Sequence, residues 1–160
     1  IMTFSLAQIL KDSDYKMSLF TNEDVAEFEK LVFEKKGKPY VTCLIRDKEI
    51  LLKPEEIVRQ LYVKKLIETY CYPKKRIKLE HSVRFGREGT KSADIVIFDK
   101  EHTTSEYIIV EVKKPKLKDG KEQLKSYCHA TGAPIAVWTN GESISHYHRK
   151  DPNYFEDITD

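Results

Sequence analysis

The chain has 160 residues, of which 40% are hydrophobic and 34% are charged, and its formal net charge at pH 7 is +2. This length and composition predict one globular domain and exclude a disordered tail, and no apolar run approaches the roughly 20 residues of a membrane-spanning helix. The three cysteines are too few and too widely spaced for a zinc ribbon or a disulfide framework, which favours a reducing, cytoplasmic compartment.

The N-terminal part of the sequence predicts a helix followed by a β-hairpin. A capping threonine, early acids and apolar residues at helical spacing predict a helix over Thr21–Lys36, which Gly37 ends. Two further runs, Tyr40–Ile45 and Glu49–Leu52, predict a hairpin with a polar turn between them. We expect residues 1–52 to form a helix-and-hairpin cover on one compact domain.

The elements that follow alternate between helices and strands. Pro54, followed by two acids, starts a predicted helix that ends near Tyr72-Pro73. Further along, the pattern predicts three strands, a helix and two strands, at Arg76–Phe85, Ala93–Phe98, Tyr107–Val112, Lys121–Ala130, Ala133–Trp138 and Ser143–His148. This order is typical of an α/β or α+β domain with a mixed sheet. We expect a core over residues 53–150 and an acidic C-terminal extension over residues 151–160.

Charged residues interrupt two of the predicted strands. Asp94 lies in an otherwise apolar strand, and Glu111 and Lys113 stand two residues apart at the end of another, so their side chains project to the same face. If these strands pair, two carboxylates converge with an ammonium group, which suits a magnesium ion and a phosphate. A buried ion pair with a structural role is the alternative interpretation.

The same residues form a pattern found in nucleases. Asp94, followed by Glu111-Val112-Lys113, resembles the two-part signature of the PD-(D/E)xK nuclease superfamily. The chain also resembles the N-terminal nuclease domain of type I restriction enzyme R subunits in six ordered pieces. These pieces are Lys53–Glu56 with Val58–Gln60, Tyr72-Pro73, Ser92–Val96, Glu111–Pro115, Gln123–Tyr127 and Trp138–Gly141.

The resemblance implies a restriction-endonuclease-like core, a central mixed sheet flanked by helices, with a magnesium site. Asp94, Glu111 and the carbonyl group of Val112 would hold the ion, for which manganese is expected to substitute. Lys113 would be the catalytic lysine.

The resemblance also implies residues that complete or support the site. A glutamate on the preceding helix often completes such sites, and either Glu55 or Glu56 could be this residue; we favour Glu56. Both acids also suit the N-terminus of a helix, which is the structural alternative. Gln123 and Tyr127 share one helix face at positions i and i+4 and could support the site or contact phosphate, or form an ordinary surface pair.

Basic residues are concentrated in the middle of the chain, where residues 51–125 contain 18 Lys and Arg against 12 Asp and Glu. One run, Lys74–Arg76, precedes the first core strand, and another begins at Lys113. Contact with nucleic-acid phosphates is one interpretation of both runs, and solvated loops are the other. Arg59 and Lys114 are expected to bind nucleic acid or to support the site.

The function predicted from these features is a magnesium-dependent endodeoxyribonuclease domain of a restriction system, a hydrolase that acts on DNA. The resemblance implies a helicase motor in the same chain and modification and specificity subunits as partners, whereas ATP is not expected in this domain. No helicase motif occurs in the 160 residues, so we expect a fragment or a free-standing relative. The alternative function is a non-cleaving nucleic-acid-binding or assembly module on a nuclease fold.

Overall fold

The computed structural model of the chain describes residues 4–113, 119–151 and 154–158. Within them, α-helices lie at Leu6–Leu10 (α1), Asn22–Glu29 (α2), Pro54–Glu68 (α3) and Asp119–Thr131 (α4). The strands are Phe33–Lys35 (β1), Lys38–Thr42 (β2), Glu49–Leu51 (β3), Ile77–Arg84 (β4), Thr90–Phe98 (β5), Glu106–Val112 (β6), Ile135–Thr139 (β7), Ile144–Asp151 (β8) and Tyr154–Ile158 (β9). None of the described helices is both long and apolar enough to cross a membrane.

The described strands form two sheets. β1, β2 and β3 make a small antiparallel sheet, and β4 to β9 make a six-stranded sheet in which the strands follow chain order. Neighbouring strands of the large sheet are antiparallel except β6 and β7, which are parallel and are joined through α4. A parallel pair needs such a crossover because both strands begin at the same edge of the sheet. The predicted mixed sheet with helices is therefore confirmed.

The central strands β5 and β6 of the large sheet are buried on both faces over much of their length. On one face, Ile95 and Val110 pack in a core that includes α3 and the N-terminal elements. On the other face, Val96 and Ile109 pack against Leu124 of α4. Neighbouring residues of a strand point to opposite faces, which explains why residues 95–98 of β5 and 107–110 of β6 form continuous apolar runs. Any charged side chain in these two strands must therefore find polar partners.

The helix predicted over Thr21–Lys36 begins as predicted, but its predicted end was wrong. Thr21 caps α2 by accepting a hydrogen bond from the backbone N–H of Asp24, and the helix stops at Glu29. Residues 33–35 instead form β1, which pairs with β2. Lys36 and Gly37 have φ angles of 54° and 76° and form the tight turn between these strands. Gly37 therefore belongs to a hairpin turn, for which positive φ at both central residues is required.

The remaining predicted elements lie close to their predicted positions. α3 starts at Pro54 and ends at Glu68, before the predicted Tyr72-Pro73. The predicted hairpin of β2 and β3 is present, with Val41 paired to Ile50. Residues 154–158, which we expected in an acidic extension, form β9 and pair with β8.

Candidate active site

The two predicted acids are neighbours in the large sheet. The register of β5 and β6 pairs Ile95 with Val110, so the next residues, Asp94 and Glu111, lie side by side. Asp94 Oδ2 accepts a hydrogen bond of 2.7 Å from the backbone N–H of Val112, and the backbone N–H of Asp94 donates to Glu111 Oε1 at 3.2 Å. The backbone of each strand thus orients the carboxylate of the other.

Both carboxylates are buried, and one oxygen has no hydrogen-bond partner among the described residues. Glu111 is only 1% exposed and Asp94 is 8% exposed, and the oxygen without such a partner is Glu111 Oε2. Burial raises the pKa of both carboxyl groups, and the charge of Asp94 raises that of Glu111 further. Removal of water disfavours the charged form of an acid, and a second acid nearby adds repulsion. The two carboxylates therefore need positive charge nearby if both are to be ionised.

Lys113 supplies part of that charge. Its Nζ lies 3.8 Å from Glu111 Oε2, which is longer than a hydrogen bond, and its side chain is 29% exposed. The ammonium group therefore stands between the buried carboxylate and solvent. The sequence prediction that Glu111 and Lys113 share one face agrees with this placement. Lys114 and the basic residues at 116 and 118, which the sequence also singled out, lie outside the described residues, and the side chain of Lys121 is likewise not described.

Glu56 is held by two arginines. Arg59 Nε and Nη2 donate to its carboxylate at 2.5 and 2.7 Å, and Arg46 Nη2 donates at 2.9 Å. Burial alone would raise the pKa of Glu56, but the hydrogen bonds and charges of Arg59 and then Arg46 outweigh it and hold the pKa below its usual range. Both carboxylate oxygens of Glu56 therefore already accept hydrogen bonds from arginines.

The same arginines extend the network to Asp94. Arg59 Nη1 lies 3.9 Å from Asp94 Oδ1, while Glu80 Oε2 accepts from Arg46 at 2.9 Å and Glu80 Oε1 accepts from Arg59 at 3.4 Å. Glu80 has a φ angle of 52°, a left-handed conformation that is unusual for a non-glycine residue within a strand. Such strain persists only where the surrounding structure imposes it, and here it accompanies the contact with both guanidinium groups.

Glu55 contributes to the electrostatic environment of Asp94. Burial raises the pKa of Asp94 most, the hydrogen bond from Val112 and the charge of Lys113 oppose it, and the charge of Glu55 raises the pKa further. Burial also raises the pKa of Tyr15, and the charges of Glu55 and Asp94 add to that effect. Tyr15 is 5% exposed and comes from the segment before α2. The side chains of Tyr15, Glu55 and Asp94 therefore lie in one electrostatic environment.

Gln123 and Tyr127 form a hydrogen-bonded pair on α4. Gln123 Nε2 donates to Tyr127 Oη at 3.2 Å, and the Tyr127 hydroxyl donates to the carbonyl oxygen of Ser92 at 2.9 Å. Burial raises the pKa of Tyr127 to about 12, and the nearby charge of Glu111 contributes. The pair therefore fixes α4 to β5 two residues before Asp94 and lies within electrostatic reach of Glu111.

The turn after β7 holds the segment that carries Tyr15. The backbone N–H of Lys16 donates to the carbonyl oxygen of Asn140 at 3.1 Å, and that of Leu19 donates to Gly141 at 2.8 Å. A Cβ atom at Gly141 would lie 1.7 Å from the carbonyl oxygen of Lys16, and the φ of Gly141 is 93°. Only glycine permits this close approach of two backbones.

Sequence reasoning missed three residues of this environment. Tyr15, Arg46 and Glu80 belong to no motif, and each is far along the chain from the acids that it influences. Only the packing of the N-terminal elements and β4 on α3 brings them together. The positive φ of Glu80 has no signal in the sequence, since glutamate seldom adopts it.

Comparison with known protein families agrees with this geometry. The family model described as type I restriction enzyme R protein N terminus (HSDR_N) matches residues 54–160. This range contains α3 and the whole large sheet with Asp94, Glu111 and Lys113. The chain matches no curated protein.

Proposed function

The chain belongs to the family of type I restriction enzyme R protein N termini, and from this premise we propose that it is a metal-dependent endonuclease domain that hydrolyses phosphodiester bonds in DNA. One observation carries the proposal. Glu111 Oε2 is buried and has no hydrogen-bond partner in the described part of the chain, and it lies beside Asp94 and 3.8 Å from the ammonium group of Lys113. A buried carboxylate oxygen in this state is costly unless it binds a cation.

The residues present fit a magnesium ion. Asp94, Glu111 and the carbonyl group of Val112 would hold it, because magnesium prefers hard oxygen ligands and takes one or two carboxylates together with water and phosphate. Manganese accepts the same ligands and is expected to substitute. A bound divalent ion would polarise a phosphoryl oxygen and lower the pKa of a water molecule.

The protein's own side chains have separate tasks in this proposal. Lys113 faces both the buried pair and solvent, so its ammonium group can neutralise charge on the phosphate oxygens or orient the attacking water. Glu55 adds a third carboxylate to the site, whereas Glu56 orients Arg59, which lies against Asp94. Gln123 and Tyr127 support the site from α4.

The proposed setting is a restriction system in the cytoplasm. DNA is the proposed substrate, with a helicase motor in the same protein and modification and specificity subunits as further partners. ATP would be used by the motor and has no role in this domain.

Calorimetric titration with Mn²⁺ and Mg²⁺ tests the proposal first. We expect saturable binding by the wild type and by Glu101→Ala, an exposed control, and its loss in Glu111→Ala. Cleavage of supercoiled plasmid by the wild type should then be abolished by Asp94→Ala, Glu111→Ala and Lys113→Ala. Near-normal cleavage by any of these three variants would refute the mechanism. Binding of a duplex without metal binding or cleavage would instead identify a non-cleaving nucleic-acid-binding module.

A further inference from the structure

A basic site that is separate from the candidate active site lies where β4 begins and β5 ends. It is a pocket of about 640 Å³ between the segment after α3, the start of β4 and the loop between β5 and β6. Its walls are formed by Cys71, Pro73, Lys75, Arg76, Phe98, Lys100 and Thr103. We call it the Arg76 pocket.

The charge of the Arg76 pocket is positive and uncompensated. Lys75, Arg76 and Lys100 line it, and none of the described side chains that line it is a carboxylate. Among the described residues, no carboxylate forms an ion pair with any of these three cations. Three cations around one concave space repel each other and attract an anion.

Arg76 is fixed in place rather than free in solvent. Its Nε donates to the carbonyl oxygen of Phe98 at 2.8 Å, and its guanidinium group lies over the ring of Tyr72, 5.4 Å from the ring centroid. The two terminal amino groups form no hydrogen bond with the described residues. A guanidinium group that is held on one edge keeps its other donors for an oxyanion and loses little entropy on binding one.

We propose that the Arg76 pocket binds a phosphate group of the nucleic-acid backbone, as an anchoring contact separate from the catalytic centre. Phe98 is four residues from Asp94 on β5, which corresponds to ~13 Å at the rise of a β-strand. Phosphates follow one another by ~3.4 Å along the axis of each DNA strand, so one duplex is long enough to reach both sites. The identity of the polyanion as DNA rests on the proposed function, whereas the phosphate chemistry of the pocket does not.

Salt-dependent binding of a fluorescent duplex to the full chain in Ca²⁺ tests this proposal. The double variant Lys75→Gln/Lys100→Gln removes two exposed charges of the pocket, and Lys30→Gln/Lys38→Gln removes two exposed charges elsewhere as the matched control. We expect the pocket variant to bind about tenfold more weakly and the slope of log K against log salt to fall by about 2. The control should stay within about twofold of the wild type at the same salt concentration. Equal effects of both variants would overturn the proposal.

Cys71 provides a second readout. It lines the pocket and is exposed, whereas Cys43 and Cys128 are buried. A duplex in the pocket should slow alkylation of Cys71 several-fold in the wild type and not in the pocket variant. Unchanged alkylation in the presence of saturating duplex would overturn the proposal.

Three further outcomes distinguish this proposal from the proposed function and from binding of a free phosphate compound. Protection of Cys71 by a mononucleotide or by inorganic phosphate, with duplex binding unaffected in the pocket variant, would assign the pocket to a free phosphate compound and overturn the backbone contact. Pocket-dependent duplex binding by a chain that holds no metal would refute the nuclease function and support the pocket. Metal-dependent cleavage with an unchanged salt slope in the pocket variant would refute the pocket alone.

Discussion

Replacing Glu111 with glutamine should stabilise the metal-free protein at pH 8 while abolishing metal binding. Glu111 is 1% exposed, and its Oε2 accepts no hydrogen bond from the residues that the structure describes, so its negative charge is buried beside a second acid. Glutamine has the same shape and no charge. Its carbonyl oxygen can still accept the hydrogen bond that the backbone N–H of Asp94 gives to Glu111 Oε1. The substitution therefore removes the cost of burial and keeps the packing.

The pH dependence of this effect follows from the raised pKa of Glu111, which burial and then the charge of Asp94 cause. Below the pKa of the unfolded chain, near 4.5, the carboxyl group is protonated in both states and has no effect. As pH rises, the unfolded state ionises first, and stability falls until the folded pKa is passed. A buried polar group without a partner costs about 1–3 kcal/mol. We expect Glu111→Gln to raise the free energy of unfolding by about 2 kcal/mol at pH 8, or ~4–8 °C in Tm, and to have little effect at pH 4.

Thermal unfolding followed by circular dichroism between pH 4 and pH 8 measures this effect. Glu56→Gln is the matched control, because Glu56 is also buried but its pKa is lowered by Arg59 and Arg46 despite burial. Its contribution to stability is present above the unfolded pKa and is lost as pH falls through the folded value, so this variant should be less stable at pH 8 and approach the wild type in acid. A less stable Glu111→Gln at pH 8, or parallel pH profiles for the two variants, would refute the reasoning.

Three other substitutions test separate parts of the site. Glu55→Gln should weaken Mn²⁺ binding in calorimetry by about tenfold, since one nearby charge is removed; an unchanged affinity would exclude Glu55 from the site. Arg46→Met should lower the free energy of unfolding in urea by about 1–3 kcal/mol, because Glu56 and Glu80 each lose a guanidinium partner, and Arg46→Lys should restore part of it. Gly141→Ala should cost more than about 2 kcal/mol and speed hydrogen exchange of the Leu19 amide; exchange at the wild-type rate would show that the two backbones can hold a Cβ atom between them.

The sequence predicts the centre of the candidate site because its signals are local. Glu111 and Lys113 are two residues apart in a strand, so their common face follows from the period of the strand. Gln123 and Tyr127 are four residues apart in a helix, and their hydrogen bond follows in the same way. The predicted helix between β6 and β7 is also the kind of crossover that joins parallel strands, and the two strands pair in parallel.

Other parts of the structure depend on packing that no local signal encodes. Glu55 and Glu56 are adjacent in the first turn of α3, so only the rotation of this helix on the sheet decides which charge raises the pKa of Asp94 and which carboxylate binds the arginines. The end of α2 was missed because Gly37 fits a helix terminus and a hairpin turn equally well. The pairing of Phe33 with Tyr40, whose rings stack with centroids 6.3 Å apart, favours the hairpin.

The N-terminal elements bring Arg46 and Tyr15 within electrostatic reach of acids in the candidate site. The family match begins at residue 54, yet Arg46 donates to Glu56 and Tyr15 is buried where the charge of Asp94 reaches it. Arg46 is itself held by Cys43, whose Sγ accepts hydrogen bonds from Arg46 and from Gln60 of α3. Fixed positive charges beside a pair of acids compete with a cation and weaken its binding to the pair. At the proposed metal site, Arg59 beside Asp94 is therefore expected to lower the affinity for metal. Arg46, from the N-terminal elements, shares the Glu56 carboxylate that holds Arg59.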